Sequence, residues 1–130
     1  MTEARETNSA GQHLCAFEAV ADGGALEVSA LVDGEPTSIL LLRAGAEVHA
    51  FHNVCPHAGR SLNWAPGRFL IESGLLICAA HGASFVIPNG YCVAGPCRGS
   101  NLRELPLVHL DGQLFLDTPD FNKAGFNTSG

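Results

Sequence analysis

No stretch of this chain approaches the roughly twenty consecutive apolar residues that a membrane-spanning helix needs. Its first residues, Met1 to Gln12, lack the basic start and apolar run of a secretory signal. Lysine and arginine are scarce, 7 against 13 Asp and Glu, for a net charge of -6. That deficit argues against a general nucleic-acid binder, which needs clustered cations to neutralise phosphates. Sustained helical periodicity and internal repeats are missing too. At 130 residues the chain is one domain's worth, too short for that domain plus a second catalytic one. A single domain over 1–130, soluble and cytoplasmic, is the expectation. In such a reducing compartment the five cysteines read as ligands or buried thiols rather than as a disulfide framework.

What is plentiful is turn residues between short apolar runs. Hydrophobic residues make up 46%, and 15 Gly with 7 Pro are scattered through the chain, the pattern of an all-β fold. The runs are Leu14 to Val20, Leu26 to Val32, Ser38 to Leu42, Val48 to Phe51, Leu75 to Cys78, Ser84 to Ile87, Leu105 to Leu110 and Leu114 to Leu116. Asp22-Gly23-Gly24, Asp33-Gly34, Asn89-Gly90 and Asp111-Gly112 punctuate them. Two hairpins follow, Ala25 to Leu42 about Asp33-Gly34 and Leu105 to Leu116 about Asp111-Gly112. The ends, roughly 1–11 and 118–130, are expected to be mobile. A short helical turn fits Pro119 to Lys123, and Phe121 and Phe126 are expected to fold back onto the domain's own surface.

Charge is unevenly spread. Between His52 and Arg103 stand Arg60, Arg68, Arg98 and Arg103 against the one acid Glu72, a local charge of +3, while the remainder carries -9. Either the acidic strands simply keep the protein soluble, or the basic half is a docking face for an acidic partner, steered at long range and weakened by salt.

That basic half holds two short pairs, Cys55-Pro56-His57 and Cys78-Ala79-Ala80-His81, with twenty residues between them and Gly82 directly after the second. One thiolate and one imidazole from each of two loops suit an asymmetric two-iron cluster. The segments His52-Asn53-Val54-Cys55-Pro56-His57-Ala58-Gly59 and Ile77-Cys78-Ala79-Ala80-His81-Gly82-Ala83-Ser84-Phe85 resemble the Rieske iron-sulfur family. Gly90, Gly95-Pro96 and Leu102 extend the resemblance, which covers about Val48 to Leu116. It implies a Rieske-like antiparallel β-sandwich with a small cluster-binding subdomain of two loops, the cluster-binding part lying at about 52–103.

Carried over residue by residue, the resemblance implies that Cys55 and Cys78 hold a buried ferric iron. His57 and His81 would bind the outer iron that accepts the electron. Neutral imidazoles add no negative charge, so the cluster is easier to reduce than an all-cysteine one, at about -150 to +300 mV against about -400 mV. High-potential members of the family have an extra cysteine pair where this chain has Arg60 and Ala80. They also place a serine and a tyrosine where it has Ala83 and Phe85. Without those donors the expected potential is low, about -150 mV. Gly59 and Gly82 are expected to let backbone N–H groups approach sulfur closely. The potential should also fall with rising pH once the histidines titrate.

Several residues keep two readings. Pro56, Pro96 and Trp64 are placed to cover the cluster from water, and plain core is the second reading for Trp64. Cys92 and Cys97 read as buried thiols with a redox pair as the lesser option, and Cys15 has no evident role. His49 and His52 are near enough for a joint role, with His52 a candidate support for a cluster loop. His13 and His109 read as structural. Ala79 where the family often has proline, and the long interval around Asn63 to Gly67, depart from the pattern without removing a ligand.

No suitable set of His and Asp follows for the mononuclear iron of a Rieske oxygenase. The resemblance therefore implies a ferredoxin carrying single electrons from a flavin-containing reductase to an oxygenase, itself not an enzyme. The alternative is a Rieske-like small subunit of a larger reductase such as nitrite reductase. A structural zinc module is a third reading, separable because zinc gives a colourless protein.

Overall fold

The computed structural model describes residues 11–56, 61–78 and 82–117. In chain order the strands are β1 (Gln12–Ala16), β2 (Ala25–Val32), β3 (Glu35–Ala44), β4 (Glu47–His52), β5 (Leu70–Glu72) and β6 (Leu75–Ile77). They continue with β7 (Ser84–Val86), β8 (Cys92–Ala94), β9 (Glu104–Leu105), β10 (Leu107–Leu110) and β11 (Gln113–Leu116). Three antiparallel sheets result, in the orders β1-β11-β10, β2-β3-β4-β9 and β5-β6-β7-β8.

Both expected hairpins form. Asp33 and Gly34 take φ of 53° and 80°, and Asp111 and Gly112 take 53° and 74°. Two successive positive φ values give the turn whose twist matches that of the flanking strands. The first hairpin pairs Ala25 with Leu42 through to Val32 with Glu35, and the second pairs Leu107 with Leu116. Ser73-Gly74, at 51° and 77°, builds a third hairpin between β5 and β6.

The run Ile39-Leu40-Leu41-Leu42 is fully buried at every position. Alternate side chains of a strand face opposite ways, so four consecutive buried residues require cover on both faces. Ile39, Leu41 and Ala50 join Leu105, Leu114 and Leu116 in one core. Leu40, Leu42 and Phe51 join Leu76, Phe85, Cys92 and both candidate cysteine ligands in the other. The β2-β3-β4-β9 sheet is thus the middle layer, and the cluster-binding subdomain carries a sheet of its own beyond the two expected loops.

The strand boundaries differ from the sequence expectation in three places. The run from Leu14 ends as a strand at Ala16, and Phe17–Ala19 winds into a 3-10 turn. Leu105 to Leu110 divides at Pro106 into β9 and β10, which join different sheets, because proline has no N–H to continue a ladder. β5 and β8 are additional. The helical turn at Pro119 to Lys123, Phe121 and Phe126 lie outside the described residues, as does nearly all of the two ends.

Candidate metal centre

The first ligand loop leaves β4 at His52, and one side chain closes it. Asn53, 1% exposed, is the buried polar residue among those described. Its Nδ2 donates to Ser38 Oγ (3.1 Å) and Asn63 Oδ1 (2.8 Å), and its Oδ1 accepts from the Leu62 N–H (3.0 Å). Its own backbone N–H donates to the Ser38 carbonyl at 3.1 Å. Positions 53 and 62–63 are therefore tied together with Cys55 between them. The network continues outward: Ser38 Oγ donates to Glu27 Oε2 (2.8 Å), whose Oε1 accepts from the Gly67 N–H (3.0 Å). Asn63 in turn donates to the Ala65 carbonyl at 3.0 Å. The excursion around Asn63 to Gly67 is fastened to the middle sheet.

The second loop joins β6 to β7. The Cys78 N–H donates to the Ala83 carbonyl (2.7 Å) and the Gly82 N–H to the Cys78 carbonyl (2.8 Å), closing it from both ends. Gly82 is required by its φ of +74°, with no atom within 4 Å of a built Cβ. Close packing against protein atoms is found at two glycines further along the chain. A Cβ at Gly95 would lie 2.7 Å from the Ala83 Cα, and one at Gly90 2.8 Å from the Phe51 ring. Gly90 thus has to be small where Phe51 and Leu102 pack, and Gly95 seats the third loop directly on the second.

Cys55 and Cys78 are both fully buried and share the subdomain core with Leu62, Ala83, Phe85, Cys92 and Cys97. His57, His81, Gly59, Arg60, Ala79 and Ala80 lie outside the described residues. Two buried soft donors on separate loops, in an apolar wall at one end of the molecule, fit the thiolate half of a [2Fe-2S] cluster. Cys92 and Cys97 sit beside them as thiols. Cys97 Sγ donates to Cys92 Sγ at 3.0 Å, and Cys92 Sγ donates to the Ala94 carbonyl at 3.2 Å.

The remaining candidates separate clearly. Trp64 is 55% exposed with the Arg68 guanidinium 5.3 Å above its ring, so the plain-core reading is overturned. His49 Nδ1 bonds Glu104 Oε2 at 2.9 Å, whereas His52 lines a cleft with Val54, Pro56, Asn101 and Arg103. The two histidines have no joint role, since positions three apart on β4 face opposite ways. His52 Nε2 is buried without a partner among the described residues. Burial, then the Arg103 charge, holds its pKa below the usual value, with Asp33 opposing. His13 bonds Gln113 at 2.8 Å and His109 stacks on Phe17 at 4.5 Å, both structural. Half-buried Cys15 packs on the sandwich core, where burial pushes its thiol pKa up. Sequence reasoning missed Asn53 as the closure of the first loop.

A family model of the Rieske [2Fe-2S] domain matches residues 12–111. The chain belongs to the Rieske family. Its cofactor is accordingly a [2Fe-2S] cluster. This Rieske protein is 31% identical over 114 residues to the ferredoxin component of the alkene monooxygenase system of Xanthobacter autotrophicus, a match covering 86% of this chain and 84% of that one. Among solved structures it is similar to the ferredoxin of carbazole 1,9a-dioxygenase from Nocardioides aromaticivorans, with a TM-score of 0.59 and 24% identity over 82% of this chain and 95% of the other. A Sphingomonas yanoikuyae ferredoxin gives a TM-score of 0.62 at 24% identity, over 84% and 99%. These two likenesses concern the fold. No helix among the described residues is long and apolar enough to cross a membrane.

Proposed function

We propose that this Rieske protein is a soluble, cytoplasmic one-electron carrier of low potential that takes electrons from a flavin-containing reductase and delivers them to an oxygenase. The observation that carries the reading is the pairing of buried Cys55 and Cys78 on two closed loops, in a chain matching most of a monooxygenase ferredoxin component. Cys55 and Cys78 hold one iron, and His57 and His81 hold the other. When bound, the cluster supplies reversible acceptance of a single electron.

The protein's own residues do the rest. Asn53 and the Gly95–Ala83 contact hold the two ligand loops in place, and the apolar wall excludes water from the thiolates. Ala83 and Phe85 offer no side-chain donor to sulfur, which leaves the added negative charge less stabilised and the potential near the low end, about -150 mV. Exposed Arg68, Arg98 and Arg103 give this end a positive field for an acidic docking surface.

Anaerobically purified protein should be brown, contain iron and acid-labile sulfide in equal amounts, and give a reduced-state paramagnetic signal. A colourless zinc protein would overturn the reading. A midpoint above about +100 mV would overturn the low-potential assignment. Turnover of the oxygenase should depend on the reductase and this protein together, and slow as salt screens the arginines. Stable copurification with one large reductase would instead identify a subunit.

A further inference from the structure

Arginines of the two halves are used very differently. Arg43, in the scaffold, is held three ways: its Nε donates to the Gly45 carbonyl (2.7 Å), its Nη1 to the Val20 carbonyl (2.7 Å), and its guanidinium lies 4.1 Å from the centre of the Phe17 ring. Arg103 is exposed and makes no hydrogen bond or ion pair through its side chain with any described residue. Its backbone is nonetheless fixed. The Arg103 carbonyl accepts from the His52 N–H (2.9 Å), and Leu102 before it donates to the Gly90 carbonyl (2.9 Å). The neighbouring acid Glu104 is engaged elsewhere, on His49 Nδ1 at 2.9 Å. Arg103 lines a cleft of about 230 Å³ with His52, Val54, Pro56 and Asn101. Val54 and Pro56 are exposed apolar residues of the first ligand loop, and the Val54 N–H donates to the His52 carbonyl at 2.8 Å. Asn101 has no donor to spare, because its Nδ2 gives to the Asn89 (3.2 Å) and Leu102 (3.1 Å) carbonyls. His52 Nε2 is buried, out of reach of anything in the cleft. One guanidinium among apolar walls is what the cleft offers, next in sequence to His57.

We propose that this cleft receives an aspartate or glutamate side chain of the oxygenase and so seats the electron acceptor beside the first ligand loop. The inference rests on the reading that the protein delivers electrons to an oxygenase. The lining selects the chemistry. A guanidinium meets a carboxylate through two parallel N–H···O bonds, and the methylenes of an acidic side chain suit Val54 and Pro56. A phosphate or sulfate, with more charge and more acceptor oxygens, needs further donors that Asn101 and His52 do not supply. The space is about seven times a water's share of liquid volume, enough for such a side chain. Charge selects the source. The cluster half carries +3 and the remainder -9, so a second copy would have to offer acids of its far half, a head-to-tail contact that does not close as a two-fold dimer. The general field of the arginines brings an acidic partner near, and this cleft fixes where it stops. Because its backbone is already held, little is left to order on docking.

The test is the second-order rate constant for reduction of the oxygenase by the full cluster-loaded protein, in stopped flow at low salt. Arg103→Gln should lower it about tenfold, and Arg103→Lys, which keeps the charge without the paired donors, should recover only part. Val54→Asp puts a carboxylate of the protein's own in the cleft and should lower the rate at least as far. Should one of Arg103→Gln and Val54→Asp fail to load a cluster, the other decides. Arg98→Gln removes the same charge outside the cleft and should cost about threefold or less. An Arg103→Gln rate within about twofold of wild type overturns the proposal, as does an equal loss in Arg98→Gln, which is a field without a site. Each rate is set against reduction of benzoquinone, a neutral oxidant without a carboxylate, and a loss shared equally by both acceptors is structural and overturns it too. Calorimetric binding of propionate that Arg103→Gln abolishes would make the cleft a small-acid site. Self-association in sedimentation that Arg103→Gln abolishes would give it to a second copy, and either result overturns the proposal. A wild type that reduces no oxygenase sinks the underlying reading, whereas one that does so, with Arg103→Gln equally fast, sinks only the docking site.

Discussion

The two ends of the molecule are held together by different means. The sandwich half rests on long strands, eight residues in β2 and ten in β3, and its order follows from apolar alternation and two turn dipeptides. The cluster half rests on β5 to β8, each of three residues, too short to be stable by pairing alone. There the chain relies on loop closures: a buried asparagine, backbone contacts without side chains, and cysteines packed as small apolar groups. Pattern builds the scaffold, and individual contacts build the site.

Substitutions on the two sides should separate these means. The largest effect is expected from Cys55→Ala or Cys78→Ala, which should abolish the reduced-state signal and sulfide content. Leu41→Ala in the sandwich core should destabilise by about 2–5 kcal/mol while leaving the spectrum of the folded fraction unchanged. If Leu41→Ala altered the spectrum as well, the two halves would not be separable in this way.

Glycines sharpen the contrast. Gly95→Ala forces a Cβ against the Ala83 backbone at a φ of +95° and should destabilise by about 2–4 kcal/mol in chemical denaturation. Gly112→Ala, at +74° with nothing within 4 Å, should carry only the conformational part, about 1 kcal/mol. Equal losses would show that close approach contributes nothing. Asn53→Ala strands the buried Leu62 N–H and should destabilise by about 1–3 kcal/mol, with faster loss of sulfide on storage.

The smallest effect concerns His52. Its folded-state pKa lies below the ordinary 6.5, so in the window below 6.5 the unfolded chain binds more protons than the folded one. Stability should therefore fall as pH drops through that window. His52→Gln should flatten the slope of denaturation midpoint against pH, and an unchanged slope would assign the acid sensitivity elsewhere.

Legibility in the sequence follows the same division. Asp33-Gly34 and Asp111-Gly112 announce their hairpins because both positions need positive φ, and Ile39 to Leu42 announces two buried faces by its unbroken apolarity. The ligand pairs stand out because thiol and imidazole recur at fixed short spacing. β5 and β8 are hidden, since three residues show no alternation to count. Asn53 reads as an ordinary loop residue, and only its bonds to Ser38 and to Leu62 and Asn63 reveal its task. Trp64 misleads because a lone tryptophan suggests core, while this one lies under an arginine at the surface.

Glu27 belongs to the scaffold yet fastens the excursion that follows the first ligand loop, one oxygen taking the Ser38 hydroxyl and the other the Gly67 N–H. Peeling the cluster half away would leave that carboxylate, and the asparagine beyond it, with broken bonds on both sides. Heating should consequently melt the molecule as one unit, in a single calorimetric peak, despite its two cores.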